Sequence, residues 1–476
     1  MRNGMAVVAA ISLVALIGCG GKTVAETTSG TLKVTAATAG SASSTGTTTT
    51  STGGTVGTTG TTSSTAGSSG TTGTTATSTS SGSTTGTFQV APHSDFPQVP
   101  NNSGTPTLKH VQVVTITYAS DARVADLEDY DRWIVGSAWL TTVGADYGVQ
   151  TGKNISNVHL PESVPSAITD DEIQTLLVTK LNSGALPTPG TVLPDGSTVT
   201  EPLYSIFFPQ STRITLGTGA QAAQSCQTFG GYHSSFNFFP GGHGPGVNVA
   251  YAVMADCGGS SGGLSSVQQV EVTMSHELLE AASDPYPQSS PGFSIQNYSS
   301  PWAFIPGEIG DLCVGQNYVE TVGSKQYALQ RIWSNSAAAS HPGKSPCVPA
   351  ASGAFFDVST DLLQTQTATP GGTVTYQVTA WSDRAMSQEW AVFVTPYQGN
   401  FYPRFTLDSA PTASHPSGQH LDQNSRAPIY VKNGDTATLK VSIPASTPSQ
   451  SATILVIGSG LSRDTYNLWP VAVFVQ

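Results

Sequence analysis

The spacing of apolar residues changes character along the chain. An apolar run at residues 5–17 is followed, up to residue 87, by a segment dominated by Gly, Ser, Thr and Ala. From about residue 107 apolar residues return at strand-like and helical spacings, and from residue 351 they recur in short alternating runs. The pattern therefore predicts a leader, a tether and two folded domains.

Strands and helices are mixed in the first predicted domain, residues 107–350. Three acidic residues, 170–172, mark the start of one helix, because negative charge in a first turn favours the helix dipole. The mixture predicts an α/β or α+β domain. The predicted strands are 111–118, 203–208 and 248–254, and the predicted helices are 125–146, one opening at Asp170, and 264–284.

Residues 351–476 contain short alternating runs, such as 373–378 and 390–394, separated by Gly, Pro, Asn and Asp. This spacing is typical of an all-β, immunoglobulin-like sandwich. Few histidines or acids cluster there, so we expect this domain to have a structural or surface-binding role.

The N-terminus indicates export. The apolar run is too short to cross a bilayer as a mature helix, and residues 16–19, Leu-Ile-Gly-Cys, resemble a bacterial lipobox. We therefore expect residues 1–19 to be a lipoprotein signal peptide and Cys19 to carry the lipid. Gly20 rather than Asp follows, which favours the outer membrane or the cell surface. Residues 20–106 are then a disordered tether, with a reach of roughly 45 Å if it is a Gly-rich coil.

The charge and the motif content limit the classes of partner that the protein can bind. The net charge of −12 argues against nucleic acid, and no phosphate loop or dinucleotide fingerprint is present. We expect a monomer whose membrane contact is the lipid.

Four further cysteines in an oxidising compartment predict two disulfides, with three possible connectivities. Sequence order and the domain organisation favour Cys226–Cys257 and Cys313–Cys347.

The helix predicted at 264–284 carries the candidate chemistry. Only 10% of the residues are charged, yet His276, Glu277, Glu280 and Asp284 stand within nine residues of one another. Because successive helical residues turn by about 100°, His276, Glu280 and Asp284 share one narrow arc. Glu277 lies at its edge, and apolar residues border both flanks. Metal-dependent hydrolases place ligands at i and i+4 beside a carboxylate that activates water. Asp284-Pro285 ends the helix, and the alternative is an amphipathic helix with a wet acidic face.

Two departures from the zinc-protease pattern affect the expected ligands. Glu280 stands where the signature has a second histidine; a carboxylate binds Zn²⁺, but it shifts preference towards Mn²⁺ or Ca²⁺. A third ligand has to come from a later segment, where Glu308 and Asp311 stand next to Cys313. The alternative for these two acids is a turn in which they cap backbone amides.

These motifs resemble those of a known family. Residues 276–280, His-Glu-Leu-Leu-Glu, and 308–313, Glu-Ile-Gly-Asp-Leu-Cys, are similar to motifs of the Exordium, or phosphate-induced-protein, family of plant cell-wall proteins and its bacterial relatives. Residues 231–233 and 329–335 also resemble that family, and the resemblance covers roughly residues 107–350. It implies an extracellular zincin-like domain in which His276, Glu280 and either Glu308 or Asp311 match the metal ligands.

The leading hypothesis is a surface-anchored, zinc-dependent hydrolase, most simply a metallopeptidase acting on peptide. In it Glu277 activates a metal-bound water. His233 is an electrophile or extra ligand, and Asp284 is a supporting or alternative ligand. A non-catalytic surface module is the alternative, with a structural metal or none, binding cell-wall polysaccharide or protein. A third hypothesis is a serine hydrolase that uses the G-x-S-x-G match at 258–262 with His341.

Overall fold

The computed structural model describes residues 87–476, apart from residues 220, 221, 244, 260, 261, 306, 342, 426 and 463–465. The predicted signal peptide, the lipobox cysteine Cys19 and residues 20–86 of the predicted tether lie outside the described residues. Within the described part, no helix is long and apolar enough to cross a membrane.

A five-stranded sheet organises residues 107–350. Its order is β2-β1-β4-β8-β7, with β7 antiparallel to β8 and the other neighbours parallel. The strands up to residue 255 are β1 (Gln112–Tyr118), β2 (Lys153–Leu160), β3 (Ala167–Thr169), β4 (Pro202–Phe208), β5 (Arg213–Leu216), β6 (Ala223–Gln224), β7 (Gly231–Phe238) and β8 (Val247–Ala255). The helices are α1 (Val124–Ile134), α2 (Ala138–Val143), α3 (Asp170–Asn182), α4 (Ser266–Ser283) and α5 (Asn335–Ala338).

Helices cover both faces of this sheet. Leu127 of α1 and Leu278 of α4 share one core with Leu203 of β4, whereas Leu177 of α3 packs with Tyr204 on the other face. The central strands β1 and β4 are therefore buried along their whole length, as parallel strands between helices are.

Helix α4 matches the helix predicted at 264–284, but its polar face is not solvated. Ser265 caps the helix in a capping box with Gln268, and every residue from Val270 to Ser283 is buried. The alternative of a wet acidic face is thus wrong. The prediction of a single helix at 125–146 is also wrong. The segment is divided, because Ser137 accepts a hydrogen bond from the Leu140 amide and starts a new helix there.

Both predicted disulfides are confirmed. Cys226–Cys257 joins the segment before β7 to the end of β8, and Cys313–Cys347 joins the turn after Glu308 to a short strand. The strands of this part are β9 (Asn317–Val322), β10 (Lys325–Gln330), β11 (Ile332–Trp333) and β12 (Cys347–Val348).

The rest of the chain forms a β-sandwich of two five-stranded sheets, ordered β13-β15-β20-β17-β18 and β14-β22-β21-β16-β19. Buried and exposed residues alternate along β15 and β20, because each has one face on the core. The Trp469 indole donates to Thr360 Oγ1 across the sheets. The strands are β13 (Phe356–Thr360), β14 (Gln366–Ala368), β15 (Thr373–Ser382), β16 (Trp390–Gly399), β17 (Arg404–Ser409), β18 (His420–Asp422), β19 (Ile429–Val431), β20 (Thr436–Ser442), β21 (Ala452–Gly460) and β22 (Tyr466–Val475).

The end of the predicted tether is packed against the folded core. Ala91, Phe96 and Val99 are buried, although a disordered tether was predicted to reach residue 106. The Phe96 side chain is the main contact. Its ring contacts the rings of Trp302, Trp333, Phe355, Trp381 and Trp469.

We expect Phe96→Ala to lower the free energy of unfolding by about 3–5 kcal/mol, because it leaves a cavity among packed aromatic rings. Denaturant titration measures this change. Phe88→Ala is the control, since Phe88 is 38% exposed. Equal stability of the two variants would contradict the packing of this segment.

Burial of the Asp131 carboxyl group makes the free energy of unfolding depend on pH. It is fully buried, accepts a hydrogen bond from the Thr115 hydroxyl, and burial raises its pKa to about 7. A raised pKa in the fold means that this carboxyl stabilises the protein at low pH and that the contribution is lost as pH rises through 7. Relative to wild type, Asp131→Asn should therefore gain up to about 4 kcal/mol between pH 4 and 8. Denaturant titration at both pH values measures it, and the exposed Asp95→Asn should show no such gain.

Candidate metal centre

Seven ionisable side chains converge between β7, α4 and the turn at residues 307–313. We call them the buried centre, because none is more than 5% exposed. Sequence reasoning singled out all seven, and the fold brings them together from segments up to 78 residues apart, from His233 to Asp311. They are His233 of β7, His276, Glu277 and Glu280 of α4, Asp284 at its C-terminal end, and Glu308 and Asp311 of the turn.

One group of potential ligands is formed by His276, Glu280 and Asp311. His276 Nε2 lies 3.0 Å from Glu280 Oε2 and 3.7 Å from Asp311 Oδ1, and one ligand atom from each residue lies within 4.8 Å of the others. Two ligands of a tetrahedral zinc ion, each at about 2.1 Å, are about 3.4 Å apart. The group therefore has the spacing of a zinc site.

A second group shares Glu280 with the first. His233 Nδ1 lies 3.5 Å from Glu277 Oε2 and 3.7 Å from Glu280 Oε2, again with ligand atoms within 4.8 Å of one another. The opposite ring nitrogen of His233, Nε2, lies 3.9 Å from Glu308 Oε2. Glu308 therefore lies beside His233, whereas Asp311 lies beside His276.

The turn fixes the orientation of Glu280. Its Oε1 accepts hydrogen bonds from the backbone amides of Gly310 and Asp311, at 2.9 and 3.1 Å. With Oε1 held in this way, Oε2 faces the two histidines. Burial acts to raise the pKa of Glu280, but attraction to His276 and His233 together with hydrogen bonding outweighs it, so the pKa is lowered and the carboxylate stays ionised.

Gln330 at the end of β10 fixes the tautomer of His276. Its Nε2 donates to the Gly310 carbonyl at 2.8 Å, so its Oε1 faces His276 Nδ1 at 3.2 Å as an acceptor. In the neutral ring that a metal ion requires, Nδ1 then carries the proton, and the lone pair of Nε2 points towards Glu280 and Asp311. Metal-binding histidines are held by outer partners of this kind.

Gly310 is needed because the backbone approaches the ligands closely. A Cβ at this position would lie 2.7 Å from Glu280 Oε1 and 2.8 Å from His276 Nδ1. Sequence reasoning missed both Gly310 and Gln330 as parts of the centre. Gly310 stands between two acids in the 308–313 motif, and Gln330 stands in the 329–335 motif. Their positions in these two motifs were the signal that could have identified them.

The centre is rich in carboxyl groups and poor in hydrogen bonds. Burial raises the pKa of Glu277 and Asp284, and raises the pKa values of Glu308 and Asp311 well above their usual range. Buried polar atoms without partners cost stability. The side-chain atoms of the centre with no hydrogen-bond partner are both ring nitrogens of His233, His276 Nε2, both oxygens of Glu277, Glu280 Oε2, Asp284 Oδ2 and Asp311 Oδ2. Imidazole and carboxylate donors left in this way fit a divalent cation.

Asp284 and His341, two other sequence candidates, lie apart from these ligand groups. Asp284 Oδ1 accepts the Gly292 amide at 2.8 Å, and Asp284 belongs to neither group of ligand atoms. The serine of the G-x-S-x-G match, Ser260, lies outside the described residues. His341 is exposed and pairs with Asp95 at 3.7 Å.

No protein-family model and no curated protein matches this chain. Its likenesses to solved structures are weak. A family 123 glycoside hydrolase from Clostridium perfringens matches at 11% identity with a TM-score of 0.17, over 23% of this chain and 22% of that one. Domains 4 and 5 of the S-layer protein SbsC match at 15% identity with a TM-score of 0.17, over 33% and 64%. The chain thus spans less than two thirds of either structure, and such likenesses carry no argument.

We expect Gly310→Ala to lower the affinity for zinc by about 10–100-fold, because the added methyl group pushes against Glu280 and His276, two ligands of the first group. Competition with a chromogenic chelator measures the affinity. Gly136→Ala is the control, since a Cβ there meets only one atom, 3.8 Å away. Unchanged affinity in Gly310→Ala would place the ion elsewhere.

Proposed function

We propose that this protein is a metal-dependent hydrolase, most simply a zinc metallopeptidase, exported and held at the outer membrane or cell surface by a lipid on Cys19. One observation carries the hydrolase proposal. Ligand atoms of His276, Glu280 and Asp311 lie within 4.8 Å of one another, and Glu277 stands next to them with neither oxygen hydrogen-bonded. A zincin-like first domain, an immunoglobulin-like sandwich and kinship with the Exordium family are parts of the same proposal.

Asp311 rather than Glu308 is the proposed third ligand. Asp311 Oδ1 faces His276 Nε2 at 3.7 Å, in the group that also contains Glu280. Glu308 Oε2 instead faces the far nitrogen of His233 at 3.9 Å. Asp284, whose Oδ1 holds the Gly292 amide, is proposed to support the ligands from the end of α4.

Glu277 is the proposed general base. His276, Glu280 and Asp311 would hold the ion, which would supply Lewis acidity and lower the pKa of water bound there. Glu277 is then placed to take the proton, because burial raises its pKa and neither oxygen has a hydrogen-bond partner. His233, whose Nδ1 lies 3.5 Å from Glu277 Oε2, is proposed as an electrophile or an extra ligand beside this carboxylate.

A structural metal in a non-catalytic surface module is the second candidate function, and burial favours it. Every donor of the centre is at most 5% exposed. Gln288, from the segment after α4, also donates to Ser234 Oγ on β7 at 3.0 Å and brings that segment over the strand. Closed sites of this kind are typical of structural zinc, whereas catalytic zinc keeps a position open to substrate.

We expect Glu277→Gln to lower hydrolysis of a fluorogenic peptide library by about 10²–10⁴-fold, because the amide cannot take a proton. Elemental analysis should still find at least one zinc ion per chain. Glu271→Gln is the matched control on the same helix; Glu271 accepts the Ala328 amide, a bond that the glutamine oxygen also accepts.

The outcomes separate the two candidate functions. An unchanged rate in Glu277→Gln would remove Glu277 from the role of base. Wild-type protein that holds zinc stoichiometrically, loses stability on chelation and cleaves no peptide of the library would favour the structural metal instead.

A further inference from the structure

We infer that the buried centre holds two divalent cations, bridged by the carboxylate of Glu280. This inference deepens the proposed function and rests on its first metal ion, at His276, Glu280 and Asp311. The second ion is assigned to His233, Glu277 and Glu280.

The geometry points to a shared ligand. Glu280 Oε2 lies 3.0 Å from His276 Nε2 and 3.7 Å from His233 Nδ1. Both histidines thus approach the same oxygen, while the other oxygen of Glu280 is occupied by two backbone amides. An oxygen that lies within 3.7 Å of ring nitrogens from two histidines is placed as a bridge between two ions.

A single ion leaves His233 and Glu277 of the second group without hydrogen bonds. If one ion binds His276, Glu280 and Asp311, both nitrogens of His233 and both oxygens of Glu277 still lack hydrogen bonds. These two side chains are only 1% and 0% exposed. Buried polar groups are normally satisfied by protein, water or ions, and imidazole with carboxylates is a donor set for zinc.

Charge leads to the same conclusion. The five carboxylates of the buried centre carry a charge of −5 when ionised; one divalent ion reduces it to −3 and two reduce it to −1. Within the described residues, the ion pairs of Glu277, Glu280 and Asp311 are all with histidines. Uncompensated buried charge is costly, so a second ion stabilises the ionised centre.

The second ion leaves Glu277 able to accept a proton. Glu277 Oε2 faces His233 and is the oxygen assigned to the ion. Its Oε1 points towards Gly231, where a Cβ would lie only 3.1 Å away. A glycine at this position of β7 therefore keeps space beside the oxygen that remains for the proton.

The test is zinc stoichiometry of the full chain. Metal-free protein is titrated with Zn²⁺ by calorimetry, and the loaded protein is dialysed and its zinc content measured. We expect two ions per chain for the wild type. His233→Gln should bind one ion and Glu280→Gln should bind at least tenfold more weakly at both steps. His415→Gln, on the sandwich, is the matched control and should bind two.

A second measurement does not depend on variants that fold poorly. Titration of the wild type with Co²⁺ should give two steps in the visible absorption spectrum. Magnetic susceptibility at two equivalents should show coupling between the ions through the bridging carboxylate.

The outcomes distinguish this inference from the function on which it rests. Two coupled ions support it, whether or not peptide is cleaved. One ion per chain with full hydrolytic activity overturns it and leaves the hydrolase proposal standing. Two uncoupled ions, or two ions retained in His233→Gln, also overturn it. No bound ion overturns both.

Discussion

One carboxylate oxygen joins helix α4 to the turn at residues 307–313. Glu280 Oε1 accepts the backbone amides of Gly310 and Asp311, and this pair of hydrogen bonds determines where both ends of the side chain lie. Because Oε1 is held, Oε2 is directed at the two histidines, and Asp311 is drawn up to His276. The other distances in the centre depend on this connection.

The surrounding structure resists the repulsion within the centre. The negative carboxylates repel one another. Helix α4 is nevertheless capped and buried along most of its length, and the Cys313–Cys347 disulfide restrains the turn. The disulfide Cys226–Cys257 likewise closes the chain that leads into β7 and out of β8. Rigid support on each side lets the acids stay close enough to act together.

The local parts of the fold could be predicted from the sequence. Helical periodicity located α4 and the arc of His276 and Glu280, and alternation located the sandwich. Apolar residues on both flanks of the arc favoured a lined cavity, but its complete burial could not be predicted, because β7 and the turn at 307–313 are distant in sequence. The packing of Gln330, a polar residue in an ordinary strand, could not be predicted either, nor could that of Phe96, which lies within the predicted disordered tether. Periodicity describes one element, whereas these contacts arise only when several elements meet.

The packed segment before β1 also has a mechanical meaning. The Ala91 amide donates to Asn433 Oδ1, the Ser94 hydroxyl donates to the Thr360 carbonyl, and Val99 exchanges two hydrogen bonds with Asn335. Tension applied to the chain at residue 88 therefore reaches these bonds and the Phe96 ring before it reaches β1. Since they are spaced along the chain from Ala91 to Val99, a pull from the N-terminal side is shared among several of them. The buried centre is shielded from strain that enters the protein from its N-terminal side.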